Sequence, residues 1–281
     1  MDAVRRSAIA GSWYPGDPGE LGADVERYLA AAEGGSQESG RLVGLLSPHA
    51  GLHYSGPVAA HAYRLLRGRQ DLTAVIVGPS HRAAFRGAAV AARGGWETPL
   101  GTVPIDEDWA EALLDADEGR HWIMDEARVH RDEHCIEIQL PFMAHLVKGL
   151  RIVPVLMGSQ STAEIEALAN ALASVVRARP ALLVASSDLS HYHPAAAANR
   201  LDAVVVDLVT RLDADGLGRL VEASHEHACG GGPMVAVMKA SKASGASRSV
   251  AVHYGDSGDV EPFDKGRVVG YLAAAFMEGG T

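Results

Sequence analysis

Cysteine, aromatic side chains and long apolar runs are all scarce in this 281-residue chain, and each scarcity excludes a class of protein. Two cysteines, Cys135 and Cys229, cannot supply the disulfide framework of a small secreted domain. A reducing cytoplasm is the expected setting, and each cysteine needs its own explanation. The longest apolar runs, such as Ala88 to Ala92, Ala181 to Ala185 and Tyr271 to Phe276, fall far short of the roughly 20 residues of a bilayer crossing. No membrane partner is expected. Arg5 and Arg6 are followed by Gly11, Trp13, Tyr14 and Pro15 rather than by an apolar stretch, so no signal peptide is expected. Base is also short: 25 Lys and Arg against 35 Asp and Glu leave a formal net charge of −10. No basic, aromatic-interleaved face for a nucleic-acid backbone is therefore expected.

What is present is a core. Hydrophobic residues make up 47% of the chain, and neither a linker nor a repeat interrupts it, so one domain over residues 1–281 is expected. Apolar strands are predicted at 41–48, 73–80, 86–92, 151–157, 181–185, 249–254 and 268–276. Helices are predicted at 19–32, 58–66, 106–114, 137–146, 162–176, twice within 195–222, and at 233–243. The WETPLGTVP stretch reads as a Pro/Gly-rich excursion, and residues 118–135 as a long polar loop. The strands run continuously apolar rather than alternating. That pattern predicts an α/β fold with a twisted mixed, mostly parallel sheet covered by helices on both faces.

Three strand ends share one design, in which an apolar strand gives way to small residues and then to histidine. They are LLSPHAG at 45–51, VIVGPSH at 75–81 and LVASSDLSH at 183–191. Ligands bind outside the carboxyl ends of strands in open α/β sheets, where residues distant in sequence converge. His49 and His81 are the first candidates for metal ligands, because neutral imidazoles suit Fe, Zn or Cu. Each would otherwise be a histidine bonded to loop backbone. Cys229, in HEHACGGGP at 225–233, has three readings. It is a thiolate ligand whose pKa a following helix N-terminus would lower, a nucleophile with His227 or His191 as base, or a buried small hydrophobe. Asp188 and His191 share one loop, so Asp188 could orient His191 for acid–base work or simply form an Asx turn. Glu133, His134 and Glu137 crowd a helix start, where some would line the cleft and part of the segment would face solvent. Cys135 is expected in the core. Trp13, Tyr14, His53 and Tyr54 are candidate pocket walls. No Walker A or dinucleotide-binding fingerprint occurs.

Taken together, SWYPG at 12–16, SPHAG at 47–51, YSG at 54–56, GPSH at 78–81 and DEHCIEIQLP at 132–141 resemble the Memo family. So do SSDLSHY at 186–192, ACGGGP at 228–233 and the terminal GYLAAAF, in family order and over nearly the whole chain. The resemblance implies a fold similar to the class III extradiol, LigB-type dioxygenases, which use non-haem Fe(II). It implies a metal site of His49, His81 and Cys229, with His191 parallel to the acid–base histidine of those enzymes and Asp188 beside it. Glu133 and His134 match the family's acidic-histidine segment. Fe(II) is the preferred ion, with Cu or Zn as alternatives.

The resemblance also implies AMMECR1-like and radical-SAM proteins as partners. Where the dioxygenases carry a carboxylate, this chain carries an oxidisable thiolate, so ring cleavage does not transfer with the fold. The leading expectation is a metal-dependent redox protein acting on an unidentified small molecule. The alternatives are a scaffold whose cleft binds a protein or peptide, and a hydrolase with Cys229 as nucleophile.

Overall fold

The computed structural model describes residues 4–33, 39–117, 121–224, 226–261 and 264–279. In chain order, β1 (Val4–Arg5) and α1 (Pro18–Ala31) lead into β2 (Leu42–Ser47), α2 (Leu52–Tyr63) and β3 (Thr73–Pro79). Then come β4 (Ala88–Val90), β5 (Gly95–Thr98), β6 (Gly101–Pro104), α3 (Glu107–Asp115) and β7 (Ile123–Asp125). The middle of the chain forms α4 (Leu140–Leu146), β8 (Arg151–Met157), α5 (Thr162–Ala178), β9 (Leu182–Ser186) and β10 (His191–His193). It closes with α6 (Ala195–Thr210), α7 (Ala214–Ala223), α8 (Gly231–Ala243), β11 (Arg248–Asp256) and β12 (Val268–Met277).

The main sheet runs β10-β12-β2-β9-β3-β8-β4-β7, with β11 also paired to β12. Its centre, β2-β9-β3-β8, is parallel, while β4 joins β8 and β12 joins β2 in antiparallel fashion. The expected mixed sheet is present, and its parallel character is confined to those four central strands and the short β4–β7 pair. Every residue of β2 and of β9 is buried. Helices cover the sheet on both sides, which is why these strands lack polar alternation. One packed group of helices is α1, α2 and α4, and another is α3, α5, α7 and α8. None of the described helices is long and apolar enough to cross a membrane.

Local signals explain most of the elements. Asp17 caps α1 by accepting from the N–H groups of Gly19 and Glu20 at 2.8 and 2.9 Å, and Pro18 fills the first turn. Leu21, Val25, Tyr28 and Leu29 then recur on one buried stripe. Two expectations fail for physical reasons. Helix α2 begins at Leu52 rather than near residue 58, running through Gly56 and Pro57. Gly56 is tolerated because the helix packs closely there, where a Cβ would come within 3.1 Å of the Tyr28 ring.

The WETPLGTVP stretch is a hairpin, with β5 and β6 antiparallel and β1 added alongside to make a separate three-stranded sheet. Its Pro and Gly residues occupy the turn and a strand end, so they mark the hairpin instead of breaking it. Within the loop expected at 118–135, residues 123–125 pair with β4 as β7, and positions 118–120 lie outside the described residues.

Candidate metal centre

Strands β2, β9 and β3 lie side by side in parallel, with Ser47 opposite Ser186 and Val77 opposite Ala185. The loops that carry His49, Asp188 and His81 therefore leave the same edge of the sheet on three adjacent strands. Two strand spacings are about 10 Å, a gap that two inward-leaning imidazoles close around one ion. Cys229 reaches the same point from the turn before α8. Gly230 follows it because a Cβ there would sit 2.7 Å from the Ser186 carbonyl oxygen. Its N–H donates to Ser187 Oγ at 2.9 Å, which fixes the turn against the end of β9.

His49, His81 and Cys229 each offer a ligand atom within 4.8 Å of the others. A tetrahedral ion with bonds of 2.0 to 2.3 Å separates its ligand atoms by about 3.5 Å, so small side-chain adjustments suffice. Proton accounting shows which nitrogens are free. Ser186 Oγ donates its one hydrogen to the Cys135 carbonyl at 2.6 Å and accepts from Gln139 Nε2 at 2.8 Å. Toward His49 Nδ1, 3.0 Å away, it can only accept. His49 Nδ1 therefore carries the hydrogen, and Nε2 is a lone pair facing Cys229 Sγ at 3.1 Å. Gln139 is itself fixed, donating to the Pro48 carbonyl and accepting from Tyr63 Oη at 2.6 Å.

His81 is oriented by a charge. Its N–H donates to Glu133 Oε2 at 2.6 Å and its Nδ1 to Oε1 at 3.0 Å, leaving Nε2 free. The Glu133 side chain is fully buried. Burial alone would raise its pKa, but bonds from His134 and His81 hold it well below the usual carboxylate range. It is thus an anion at neutral pH, and the pair is a carboxylate–histidine unit of the kind that steers metal ligands.

His49 is 2% exposed, and burial, reinforced by neighbouring His81 and His134, pushes its pKa well below the ordinary value. Burial and then the Asp188 charge push the Cys229 thiol up to about 12, opposite to the lowering expected from the α8 N-terminus. That argues against a self-activated nucleophile. A metal, by contrast, displaces the thiol proton directly.

The remaining expected residues divide. His134 stands beside the trio, its ring 4.5 Å from that of His81 and 5.4 Å from that of His49, and the Trp13 ring packs 4.5 Å from it. His81, Glu133 and His134 form a second overlapping group of possible ligands. Asp188 Oδ1 accepts from the backbone N–H groups of His49 and Ala50, at 2.6 and 3.2 Å, and so clamps the main chain of a candidate ligand. The Nδ1 of His191 donates to the Leu189 carbonyl at 2.9 Å, so a carbonyl and not Asp188 sets its tautomer. His227 likewise donates to the Leu201 carbonyl, and His225 lies outside the described residues.

Tyr14 is turned inward, donating to Glu137 Oε1 at 2.8 Å. His53 is exposed beside Glu261 and edge-on to Tyr54, which is 41% exposed. Glu137, half-assigned to solvent from the sequence, is fully buried and holds Arg5, Ser7 and the N–H groups of Ala8 and Ile9. Cys135 is in the core as expected. Sequence reasoning missed Ser186 and Gln139. Both stand inside quoted motifs, but only the folded hydrogen-bond pattern reveals what they orient.

Known proteins resemble this chain over most of its length. The family model described as Memo-like protein matches residues 5–275. A MEMO1 family protein of Methanopyrus kandleri is 37% identical over 98% of this chain and 99% of its own length. One from Methanothermobacter thermautotrophicus is 37% identical over 95% and 98%, and one from Nitrosopumilus maritimus 31% identical over 98% and 100%. An uncharacterized protein of Escherichia coli K12, known from a crystal structure, shares the fold alone, with a TM-score of 0.52 and 17% identity over 83% of this chain and 99% of that one. With the family model spanning residues 5–275 and relatives 37% identical along nearly the whole chain, the chain belongs to the Memo family.

Proposed function

We propose that this chain is a metal-dependent redox protein holding one transition-metal ion, Fe(II) by preference, through His49 Nε2, His81 Nε2 and Cys229 Sγ. The observation that carries the reading is the proton arrangement. Both imidazoles are fixed through Nδ1, and both present unprotonated Nε2 atoms to a thiol. Such an ion, when bound, supplies open coordination positions and a one-electron couple suited to O2 or a small oxidisable substrate.

The chain's own residues do the rest. Cys229 gives up its proton and contributes the single negative charge among the three ligands. Asp188 and Glu133 hold the backbones of His49 and His81 in register. His191, its Nδ1 committed to a carbonyl, offers Nε2 to accept or return a substrate proton. It stands three residues beyond Asp188, whose carboxylate holds the His49 backbone, and that proximity supports its role in the same cleft.

The test is metal determination after anaerobic purification. One ion per chain, lost in His49→Ala and in Cys229→Ala, is the expected result. An absence of stoichiometric transition metal in the wild type, or its retention in both variants, overturns the reading. A folded, metal-free chain whose Cys229 alkylates equally with and without chelator would favour the nucleophile instead.

A further inference from the structure

The peptide group between Leu189 and Ser190 is engaged at both ends. Its carbonyl accepts from His191 Nδ1 at 2.9 Å, and its N–H donates to Asp202 Oδ1 at 3.0 Å. The peptide is trans, so the two bonds leave it in opposite directions. Asp202, on α6, therefore stands on the far side of the amide from the imidazole.

The interior is shaped to admit this carboxylate. Asp202 is fully buried, and its Oδ2 accepts from the Tyr254 hydroxyl on β11 at 2.8 Å. Burial and then that bond push the Tyr254 pKa up, so the phenol stays the donor. Residue 270 on β12 is a glycine, and a Cβ there would overlap Asp202 Oδ2. The Gly270 backbone also brackets the peptide, accepting from the Leu189 N–H at 2.8 Å and donating to the Ser190 carbonyl at 3.0 Å.

Hydrogen bonds on the two ends of one amide strengthen each other, because a bond from the N–H shifts electron density onto the carbonyl oxygen. A carboxylate on the Ser190 N–H thus makes the Leu189 carbonyl a better acceptor. That carbonyl holds the Nδ1 hydrogen of His191 and leaves Nε2 as the lone pair. Two aspartates then divide the work that the sequence assigned to one. Asp188 clamps the His49 backbone, and Asp202 reaches His191.

We propose that Asp202 is a positioning residue for His191, acting through the Leu189–Ser190 peptide to fix its tautomer and to strengthen Nε2 as a proton acceptor. This rests on the reading of His191 as the group that accepts or returns a substrate proton. The other charged and titratable groups around His191 are Asp188, Tyr192 and His193 on its own segment, His49, and Arg267, whose guanidinium lies 5.1 Å from the Tyr192 ring centroid. All of them are retained in Asp202→Asn.

The test is an NMR pH titration of the His191 ring and the Ser190 amide, with the ring assigned by its loss in His191→Gln. The chain carries diamagnetic Zn(II), or no ion if none binds, so the outcome is read separately from the metal and redox reading. In wild type, His191 should be the Nδ1–H tautomer, and the Ser190 amide proton should move downfield with the same midpoint as the ring protonates. Asp202→Asn keeps the size of the side chain and an acceptor for the Ser190 N–H. Its His191 midpoint should nevertheless fall by about half a pH unit or more. Tyr254→Phe, which keeps the carboxylate, should cause no such fall. An unmoved midpoint in Asp202→Asn would reduce Asp202 to scaffolding and overturn the proposal, as would an equal fall in Tyr254→Phe. Should Asp202→Asn not fold, a wild-type Ser190 amide that fails to follow the His191 ring overturns it alone.

Discussion

His49 and His81 occupy matching positions, each two residues beyond the end of a parallel strand, yet their supports differ in kind. His49 is sealed in the interior and oriented by a neutral relay from Tyr63 through Gln139 to Ser186. His81, whose side chain is 30% exposed, is oriented by the buried Glu133 carboxylate. Partners explain the division. The buried Glu133 carboxylate can face the His81 ring because the backbone N–H groups of His81 and His134 tie it down. The carboxylate beside His49, Asp188, is instead spent on the backbone and leaves the ring to the neutral Ser186. The lesson is that one histidine is held chiefly by packing and neutral hydrogen bonds and the other chiefly by charge.

Removing charges should therefore do most on the His81 side. The largest effect is expected for Glu137→Gln. That residue pins the 130–137 segment to Arg5, and loss of a buried pair's anion costs about 3 kcal/mol of stability in chemical denaturation at pH 7. Although burial alone would raise the Glu137 pKa, Arg5 and hydrogen bonds from Ser7 and Ala8 depress it. Its stabilisation is thus present above the ordinary carboxylate pKa and lost as pH falls through the lower folded value. The gap between wild type and Glu137→Gln should stay constant near neutrality and narrow below about pH 4. A gap that widens with acid would contradict the assignment.

Next comes Glu133→Gln, which removes the charge behind His81 and should weaken metal binding by about a hundredfold in competitive chelator titration. Gly230→Ala tests the turn that seats Cys229 against the end of β9. Its Cβ would strike the Ser186 carbonyl, so a stability loss of about 1 to 3 kcal/mol is expected in thermal or chemical denaturation. Smallest is Ser186→Ala, where the neutral relay is broken but packing still holds the ring. About a tenfold loss of metal affinity is expected. Equal losses in Glu133→Gln and Ser186→Ala would erase the distinction between the two histidines.

The same contrast marks what could be read in the sequence. His49 and His81 were visible because strand, small residues and histidine recur along the chain, and parallel pairing brings such ends together. Cys229 joined them through the family resemblance, since composition alone left three readings open. Ser186 and Gln139 were hidden because an alcohol and an amide acquire their meaning only from the partners that exhaust their hydrogens. Glu137 was misjudged because a charged residue amid alternating apolar ones reads as solvated, and its partner Arg5 lies 132 positions away. The β5–β6 hairpin was obscured by Pro99, Gly101 and Pro104, which serve as its turn and margin. The cluster of His49, His81 and Cys229 was thus legible in the sequence, and the hydrogen bonds that orient it were not.

The most direct test of the central claim is X-ray absorption at the metal edge of the anaerobically loaded protein. Coordination by His49, His81 and Cys229 predicts one sulfur scatterer at about 2.3 Å together with nitrogen or oxygen scatterers at about 2.1 Å. The sulfur should vanish in Cys229→Ser. A wild-type spectrum with only nitrogen and oxygen in the inner shell would contradict the account.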